Sequence, residues 1–457
     1  MIIPEGDERF WNKLTQTASR EVLDERHLVR IRHMVGWAYE NSPLHRRIYD
    51  DAGVKPADIR TWDDYHHRLP FTDKPDYLQD QEAQPSGVGG TALSQEHWQQ
   101  YFHTTGTTGR FLNEVFTQYE MQKAGTQYCY GLWDHGVRPG DSMYFCFNWG
   151  SWIGLWSFYW GARDLGLKVI SGGGLSTLER VEQIRKHKPT VVVATPTYLL
   201  HLADVALENG LDLRDSGVAM VAGGGEAGLS ISATRARVSE RWNVAERIMD
   251  AYGVGEALFI GQACRDAGGG VHVIEDMTHS YVVDPESGEP TAAGEIGEHV
   301  LTSYGRFAQP FIKYRTHDLV RLEDGSSHGC GWTFGFMPGV VLGRADFMVT
   351  IRGVNVYPTA VENLLGDIQG LSNHYELHIT REDSGYDRML VKVEATATVP
   401  HPSLEAALNE HLRKSIGVRL ETEILPAEAL PRYELKSKRI FDHRAASDRP
   451  AASLGKK

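Results

Sequence analysis

Residues 190–198, TVVVATPTY, decide the fold class of this chain. Three consecutive valines form a short β-branched run, which is typical of a strand that is buried on both faces. Thr195 and Pro196 follow at once and fit the N-cap and the first position of a helix that would end near Gly210. A buried strand that leads directly into a helix is the repeating unit of a parallel sheet covered by helices.

The same alternation continues on both sides of this stretch. Residues 141–148 (DSMYFCFN) predict a strand, and Ser176 with Glu179 forms a capping box that predicts the start of a helix. Residues 218–221 predict another strand and residues 230–242 another helix. These alternating elements favour βαβ units and a parallel sheet.

Three flanking regions have different patterns. Residues 1 to about 100 are polar and mainly helical in pattern, and residues 271–322 combine short strands with tight turns, which predicts a β subdomain. From about Gly343 a new unit begins, with a strand, a helix from about Thr359 and two alternating segments at 375–379 and 389–394. No internal repeat is present.

Together these patterns predict an α/β protein with three segments. A large N-terminal domain (1–343) would hold parallel sheets flanked by helices and the β subdomain. A small α+β C-terminal domain (344–445) would follow through a hinge, and residues 446–457 would form a disordered tail.

Composition excludes several classes of protein. The chain has 457 residues, 41% of them hydrophobic, which suits two or three globular domains. Its net charge of −13, without a basic arm, argues against nucleic-acid binding. The first residues lack the pattern of a secretory signal, and no apolar run is long enough to span a membrane. Four cysteines in such a length argue against a disulfide framework, so we expect a cytoplasmic protein.

Residues 103–110, HTTGTTGR, have the composition of a phosphate-binding loop. Glycines allow backbone N–H groups to face an anion, and threonine hydroxyls add donors or Mg²⁺ ligands. The loop lacks the lysine of a Walker A motif, because Arg110 and Phe111 follow Gly109. It therefore indicates a nucleotide but argues against an ordinary P-loop NTPase.

Five further motifs each carry one element of nucleotide chemistry. The GGGEA stretch (223–227) would let a ligand approach the sheet edge, and DAYGVGE (250–256) offers an exposed Tyr252 for stacking and Glu256 for Mg²⁺. Asp318 in YRTHDL, expected just after the end of a strand, could accept bonds from a ribose, and Arg344 and Arg352 could bind ribose or phosphate oxygens. Lys436 lies in a basic cluster near the C-terminus. Taken singly, each motif also fits an ordinary turn, strand or solvated face.

The set and its order resemble the acyl-adenylate-forming superfamily of acyl-CoA ligases, and most closely its phenylacetate–CoA ligase branch. The resemblance rests on YGVGEA, VHVIED, DPESGEP, GEIGE and YRTHDL between residues 252 and 319, on IRGVNVYP at 351–358, and on TPTY at 195–198. It covers roughly residues 60–445.

This resemblance implies a two-step ligase that uses ATP, Mg²⁺ and coenzyme A. A carboxylate would attack the α-phosphate to give acyl-AMP and pyrophosphate, and a thiol would then displace AMP. Two alternatives stay open, namely an adenylating enzyme that passes the acyl group to an amine or a carrier-protein thiol, and a non-catalytic nucleotide-binding relative. The family expectation for the assembly is a homodimer.

Residue roles follow from the resemblance position by position. The implied catalytic residues are Lys436, Arg352 and Thr104, with Lys436 bridging the carboxylate and the α-phosphate. The implied ATP and AMP contacts are Thr104, Thr105, Gly106, Thr107, Thr108 and Gly109 for the β- and γ-phosphates, Gly225, Glu226, Ala227, Asp250, Tyr252 and Gly253 around the base, and Asp318 and Arg344 for the ribose. Glu256 would bind Mg²⁺, and Asp346 would be the hinge.

Three positions depart from the family pattern. Arg110 stands where a lysine is common, and His317 stands where Gly or Arg is common in YRTxD. Leu435 replaces the glycine that usually precedes the catalytic lysine, which could stiffen that loop without removing Lys436.

Some members of the branch carry a structural zinc near the β subdomain. Here Cys264 and His272 are followed by His328 and Cys330, and two Cys with two His suit tetrahedral zinc. Isolated cysteines are also often small buried apolar residues, which suits Cys129 and Cys146 in their aromatic runs.

The acid would bind between the aromatic segment and the central sheet. The candidate lining residues are Asn148, Trp149, Trp152 and Ile153, with Gly223 and Gly224 on the facing wall. A pocket rich in tryptophan favours a flat aryl or arylacetic acid. Asn148 could bind a ring hydroxyl or amine. The tryptophans, Trp156 above all, could equally be core.

Overall fold

A computed structural model describes most of the chain. The described residues are 4, 9–104, 111–226, 228–245, 247–345, 349–351, 354–356, 358–366, 368–381, 387–396, 401–431 and 439–444. The predicted disordered tail, the hinge residue Asp346, and Arg352 and Lys436 lie outside this part of the chain.

Strands and helices alternate between residues 142 and 242, as predicted, and the residues before 100 contain only helices among the described elements. The α-helices are α1 (Lys13–Gln16), α2 (Arg20–Asn41), α3 (Pro43–Asp51), α4 (Lys74–Ala83), α5 (Gln118–Asp134), α6 (Ile153–Leu165), α7 (Thr177–His187), α8 (Pro196–Glu208), α9 (Ser232–Trp242), α10 (Pro358–Leu365) and α11 (His401–Ile416). The strands are β1 (Gln100–His103), β2 (Asn113–Phe116), β3 (Ser142–Phe145), β4 (Lys168–Ser171), β5 (Val191–Val193), β6 (Met220–Gly224), β7 (Ile248–Val254), β8 (Leu258–Gln262), β9 (Gly270–Val273), β10 (Thr278–Val283), β11 (Ile296–Ser303), β12 (Tyr314–Arg321), β13 (Phe336–Pro338), β14 (Gly343–Arg344), β15 (Val349–Ile351), β16 (Val354–Val356), β17 (Leu371–Arg381), β18 (Asp387–Ala395), β19 (Glu421–Leu425) and β20 (Ile440–Asp442).

An eight-stranded sheet forms the centre of the larger part, in the order β13-β9-β8-β7-β6-β5-β3-β4. The strands from β3 to β7 pair in parallel, whereas β8, β9 and β13 add antiparallel strands at one end. Strand order reverses at β3, since β4 lies on one side of it and β5 on the other. In open α/β sheets, ligands bind in the crevice at such a switch point, outside the carboxyl ends of the strands.

Both faces of this sheet are covered by helices. One apolar layer contains residues of α5 and α6, including the buried Trp133 and Trp160, and the other contains residues of α7, α8 and α9. The three valines of β5 are fully buried, as their β-branched run predicted. Burial on both faces explains why this strand has no polar alternation.

Capping residues in the sequence correctly predicted where α7 and α8 begin. The Ser176 side chain accepts a hydrogen bond from the Glu179 backbone and Glu179 returns one, so the predicted capping box is confirmed. Pro196 is the first residue of α8, also as predicted, but Thr195 makes no side-chain capping bond. The amide of Thr197 donates instead to Glu226 Oε1 at 2.8 Å.

The predicted β subdomain is a four-stranded antiparallel sheet in the order β10-β11-β12-β14. Its last strand pairs Arg344 with Asp318. A second four-stranded sheet, β19-β18-β17-β20, packs with α10 and α11 around a separate apolar core that runs from Val349 onwards. The α/β class with a β subdomain and a C-terminal α+β unit is thus confirmed, while the exact boundary at residue 343 stays a prediction.

Other global predictions have clear outcomes. All four cysteines are free and buried, which confirms the absence of disulfides. Within the described residues, no helix has the length and apolar content needed to cross a membrane.

Candidate active site

Glycines at the carboxyl end of β6 bring the sheet edge close to its neighbours. The strand was predicted to stop at residue 221, but it continues to Gly224 and pairs Gly223 with Asp250. A Cβ on Gly223 would lie 2.6 Å from the Ala194 carbonyl oxygen, and one on Gly224 would lie 2.6 Å from that of Ala251. Any side chain here would clash with backbone, so these glycines keep a flat floor at the end of the sheet.

The aromatic segment after β3 meets this floor. A Cβ on Gly225, which has a φ of +88°, would lie 2.8 Å from the Trp152 ring. Trp149 is 37% exposed and its indole N–H donates to Ser171 Oγ at 2.6 Å. Ile153 is buried, and Trp156 packs partly against the core, with its ring centroid 5.3 Å from that of Trp149. The residues predicted to line the acyl pocket therefore lie beyond the carboxyl ends of β3 and β6, near the switch point of the sheet.

Asn148 is held by its surroundings. Its Oδ1 accepts from the Gly174 amide at 2.8 Å and from Arg180 Nη2 at 3.3 Å. Arg180, which is buried, also donates to the Gly172 carbonyl and to Tyr198 Oη. The side-chain oxygen of Asn148 thus fixes the loop after β4.

Glu226 contacts two parts of the molecule. Its Oε1 accepts hydrogen bonds from the amide and the hydroxyl of Thr197, so the Glu226 carboxylate caps α8. Its Oε2 lies 4.0 Å from Arg439 Nη2. Arg439 also donates to Tyr375 Oη at 2.8 Å. Glu226 therefore joins the central sheet to the C-terminal unit. Its predicted neighbour in the site, Ala227, lies outside the described residues.

Asp318 is the centre of a buried polar group. The Tyr252 hydroxyl donates to Asp318 Oδ2 at 2.7 Å, and Arg344 Nη1 donates to Asp318 Oδ1 at 2.8 Å. Tyr252 Oη also lies 3.2 Å from His299 Nδ1, a residue that the sequence did not indicate. The structure thus brings the predicted ribose residues together.

Two expectations about this group are wrong in detail. Tyr252 was expected to be exposed, but it is 6% exposed because it lies within β7 and packs under β12. Burial, with Asp318 nearby, raises the pKa of Tyr252 well above its ordinary value. Asp318 was expected after a strand end and lies instead in the middle of β12.

His317, the departure next to Asp318, has an evident backbone role. Its φ is +61°, a left-handed conformation that favours glycine. His317 Nδ1 lies 3.0 Å from the buried Glu298 Oε1, and this contact accompanies the unusual conformation. The histidine therefore occupies a glycine-like position, and the pairing of β12 with β11 is irregular there, because Leu319 pairs with Glu298 and Arg315 already pairs with Val300.

Asp250 and Gly253 flank Tyr252 on β7. Asp250 Oδ2 accepts from Ser230 Oγ at 2.6 Å, and burial raises the pKa of Asp250 to about 6. Gly253 is exposed and follows an irregularity in the pairing of β7 with β8. Asp250 is thus hydrogen-bonded to the segment before α9, while Gly253 is exposed near the end of β7.

Thr104 joins the two ends, here called the neck, of the predicted phosphate loop. Its amide bonds to the Leu112 carbonyl at 3.0 Å, and its Oγ1 accepts from the Leu112 amide at 3.2 Å. Lys74 Nζ donates to the same Oγ1 at 2.8 Å and lies 4.0 Å from Glu256 Oε1. The loop residues Thr105, Gly106, Thr107, Thr108, Gly109 and Arg110 lie outside the described residues.

Lys74 is a site residue that the sequence analysis missed. It begins α4, about 30 residues before the loop, and no local pattern connects the two. The ammonium group of Lys74 reaches Thr104 only because α4 packs against the rest of the larger domain.

Glu256, the predicted Mg²⁺ ligand, lies near the start of the loop, since its Oε1 is 4.0 Å from the Lys74 ammonium group that donates to Thr104. It is 7% exposed, and its Oε1 accepts from the Tyr314 hydroxyl at 3.1 Å. Beside it, Glu114 of β2 is fully buried, and its two carboxylate oxygens have no hydrogen-bond partner among the described residues. Burial, with the Glu256 carboxylate nearby, holds the pKa of Glu114 well above its ordinary range.

Cys264, His272, His328 and Cys330 form a four-ligand cluster. Their candidate ligand atoms all lie within 4.8 Å of one another, and three of the four residues are buried. Cys330 Sγ lies 3.3 Å from His272 Nε2, and Cys264 Sγ lies 3.9 Å from His328 Nδ1. His272 Nδ1 is 2.8 Å from the Phe334 carbonyl, so it donates there and leaves Nε2 for a metal.

The electrostatics of the cluster favour a thiolate at Cys330 but not at Cys264, because hydrogen bonding with Cys330 and burial raise the pKa of the Cys264 thiol. Hydrogen bonding with Cys264, and then with His272, lowers the pKa of the Cys330 thiol. The Trp332 amide also lies 3.3 Å from Cys330 Sγ as a donor. The sequence-based grouping of these four residues is therefore confirmed as a spatial cluster.

Comparison with known proteins identifies the family of this chain. Residues 50–308 match the AMP-binding enzyme family, and residues 353–444 match the AMP-binding enzyme C-terminal domain. Phenylacetate-coenzyme A ligase from Pseudomonas putida is 31% identical over 94% of this chain and 97% of its own.

Solved structures agree and distinguish two domain arrangements. A crystal structure of 2-hydroxyisobutyryl-CoA ligase in the postadenylation state, 25% identical, covers 96% of this chain and 94% of its own with a TM-score of 0.89. The same ligase in the thioesterification state, 26% identical over 97% of this chain and 94% of its own, has a TM-score of 0.73. The domain arrangement here is thus nearer to the postadenylation form. The chain belongs to the AMP-binding enzymes, in the family that includes the phenylacetate-coenzyme A ligases.

Proposed function

We propose that this protein activates an aromatic carboxylic acid with ATP and transfers the acyl group to coenzyme A. The observation that carries this proposal is the match to a phenylacetate-coenzyme A ligase over 94% of the chain. Because both the large domain and the C-terminal domain are matched, the parts for both half-reactions are present.

The chemistry consists of two displacements. The substrate carboxylate attacks the α-phosphate of ATP, which forms acyl-AMP and releases pyrophosphate. The thiol of coenzyme A then attacks the acyl carbonyl carbon, loses its proton, and displaces AMP to leave the thioester. Neither step needs a protein nucleophile, so the protein acts mainly by positioning and by stabilising charge.

The nucleoside would be held by the Asp318 group. Asp318 and Arg344 would bind the ribose hydroxyls, while the Tyr252 hydroxyl orients the carboxylate in addition to lying beside the adenine. Glu226, Gly225 and Ala227 would line the base. These bonds are charge-assisted and directional, which suits recognition of a fixed sugar.

The phosphates would be held from several sides. Thr104 and residues 105–109 would bind the β- and γ-phosphates, and Lys74 would add a cation at the neck of the loop. Lys436 would approach the α-phosphate from the C-terminal domain and Arg352 would meet the phosphates. The turn of that domain about Asp346 would then withdraw Lys436 for the second half-reaction.

Glu256 fits a Mg²⁺ ligand, since it is a carboxylate near the start of the loop. Mg²⁺ binds such sites through one or two carboxylates and phosphate oxygens. When bound, Mg²⁺ neutralises charge on the polyphosphate.

The four-ligand cluster fits structural zinc. Its two thiols and two imidazoles are close enough for tetrahedral coordination, and His272 already has its outer hydrogen bond. No open position for substrate is needed there, so we assign the metal a structural role.

The acyl pocket supports an aromatic substrate. The segment after β3 carries Trp149, Trp152 and Trp156, and the glycines at the end of β6 face Trp152. Flat indole surfaces suit an aryl or arylacetic acid better than a flexible chain.

A panel assay tests the proposal. The purified protein is incubated with ATP, Mg²⁺, hydroxylamine and a set of aryl, arylacetic and short aliphatic acids. We expect hydroxamate and pyrophosphate with aromatic acids, and thioester by mass spectrometry when coenzyme A replaces hydroxylamine. Hydroxamate without thioester would favour an amine or carrier-protein acceptor, and no product with any acid would favour a non-catalytic relative.

Two broader expectations belong to the same proposal. We expect the enzyme to act in the cytoplasm, where ATP and coenzyme A are available, and to form a homodimer. Light scattering of the purified chain would test the second expectation.

A further inference from the structure

Glu114 is the least satisfied buried charge-bearing group near the active site. Its side chain is 0% exposed, and the structure gives neither carboxylate oxygen a hydrogen-bond partner among the described residues. Buried polar groups are nearly always paired, and a buried carboxylate without a partner is unfavourable. The position therefore needs a physical explanation.

The carboxylate of Glu114 faces the loop that carries Glu256. Its two oxygens lie 2.6 and 2.9 Å from the position that a Cβ would take on Gly255, the residue before Glu256. The two carboxylates are close enough for their charges to repel each other. Glu114 is therefore aimed at the turn after β7 that carries Glu256, the proposed Mg²⁺ ligand.

The nearby protein cations do not bond to Glu114. Arg306 donates to the carbonyls of Val115 and Glu256 and to Gln309 Oε1, and its closest carboxylate is Glu120 at 3.4 Å. Lys74 is directed to Thr104. Two carboxylates thus converge with only partial compensation from fixed cations.

We propose that Glu114 is a second carboxylate of the divalent-cation site, so that Glu114 and Glu256 hold Mg²⁺ together from the protein side. This inference rests on the proposed function, which assigns Mg²⁺ to Glu256. A divalent cation balances two carboxylates, and Mg²⁺ sites with one or two carboxylates and phosphate oxygens are common. The strand β2 leads directly from the phosphate loop, so it carries Glu114 to the same cation that the loop's nucleotide brings.

Manganese binding tests the inference without relying on activity. The full-length protein, with a non-hydrolysable ATP analogue, is titrated with Mn²⁺ and free Mn²⁺ is followed by electron paramagnetic resonance. We expect Glu114→Gln, which keeps the shape and removes the charge, to weaken Mn²⁺ binding at least tenfold. Glu114→Asp keeps a carboxylate and is expected to retain more affinity than Glu114→Gln.

A matched control is Glu120→Gln, another fully buried glutamate on the far side of Arg306. It is expected to lower the melting temperature, because it breaks a pair with Arg306, and to leave Mn²⁺ affinity unchanged. If Glu114→Gln weakens Mn²⁺ binding no more than Glu120→Gln does, or no more than Glu114→Asp does, the inference is overturned.

Glu256→Gln separates this inference from the proposal beneath it. Weakened Mn²⁺ binding in Glu256→Gln together with unchanged binding in Glu114→Gln overturns only the role of Glu114. Unchanged binding in both variants overturns the assignment of Mg²⁺ to Glu256 as well.

Discussion

The four-ligand cluster and the nucleotide site are built in opposite ways. In the cluster, four potential ligands from two separate stretches of chain lie within 4.8 Å of one another. In the nucleotide site, the polar groups bond to one another, with Asp318 accepting from Tyr252 and Arg344, and with Thr104 accepting from Lys74. In a structural metal site, all ligands surround one ion. In a substrate site, the binding groups lie on several helices and strands that contact different parts of the substrates.

The difference has an energetic consequence. Groups in the cluster are held by β9, by the turn at Gly325–His328 and by the Phe334 carbonyl, so they belong to the fold. Groups in the proposed nucleotide site would exchange their partners for those of ATP. Damage to the cluster should therefore reduce stability, and damage to the nucleotide site should reduce activity.

The largest expected effect comes from breaking the cluster. Cys330→Ser, or removal of zinc by a chelator, should lower the free energy of unfolding by about 5 kcal/mol, as loss of a structural metal does. Metal analysis and thermal denaturation measure this. Cys129→Ser, a buried cysteine outside the cluster, should change stability by only about 1 kcal/mol and leave the bound metal unchanged. A wild-type protein without zinc, or an unaltered melting temperature after chelation, would contradict the zinc assignment.

Lys436→Ala should produce the reverse pattern. Removing a cation that stabilises developing charge should slow pyrophosphate release by about 10²- to 10³-fold. ATP binding by calorimetry and the melting temperature should both stay near wild type, because the loss is confined to the transition state. Retained adenylation in this variant would show that another cation, such as Lys74, performs the role.

Asp318→Asn should have a smaller effect. A hydrogen bond to a charged group contributes about 1.5–3 kcal/mol, so AMP should bind about 10- to 100-fold more weakly. Calorimetric titration with AMP measures this. Glu286→Gln, on an exposed turn of the same subdomain, is the matched control and should bind AMP as wild type. Equal affinities in the two variants would remove Asp318 from the nucleotide site.

The sequence predicted best what local physics decides. The capping box at Ser176, the proline that opens α8 and the valines of β5 are each set by neighbouring residues. The four-ligand cluster was also predictable, because the chain has only 4 cysteines and the family resemblance indicates a zinc site near the β subdomain. The motifs of the nucleotide site gave the identity of Asp318, Arg344 and Tyr252, but their strand positions and the burial of Tyr252 depended on how β7 and β12 pack.

What the sequence missed depends on contacts between distant segments. Lys74 reaches Thr104 from α4, and Glu114 of β2 lies against Gly255, the neighbour of Glu256, although β2 and β7 belong to different sheets. Glu226, expected beside the base, also caps α8 and lies near Arg439. No spacing rule connects such residues, since their proximity is created only by tertiary packing.

The smallest predicted effect concerns His45, a buried histidine outside the four-ligand cluster. Burial alone lowers the pKa of His45 to about 3, well below its ordinary value of 6.5. The folded protein therefore binds fewer protons here than the unfolded chain, so stability is full above pH 6.5 and is lost as the pH falls towards 3. The loss for one such group is at most about 1.4 kcal/mol per pH unit. His45→Gln should accordingly flatten the decline of melting temperature between pH 6 and 4.5. The exposed control His97→Gln should leave it unchanged. An unchanged slope in His45→Gln would mean that acid destabilisation arises elsewhere, with His299, whose pKa burial also lowers to about 3, as the first alternative.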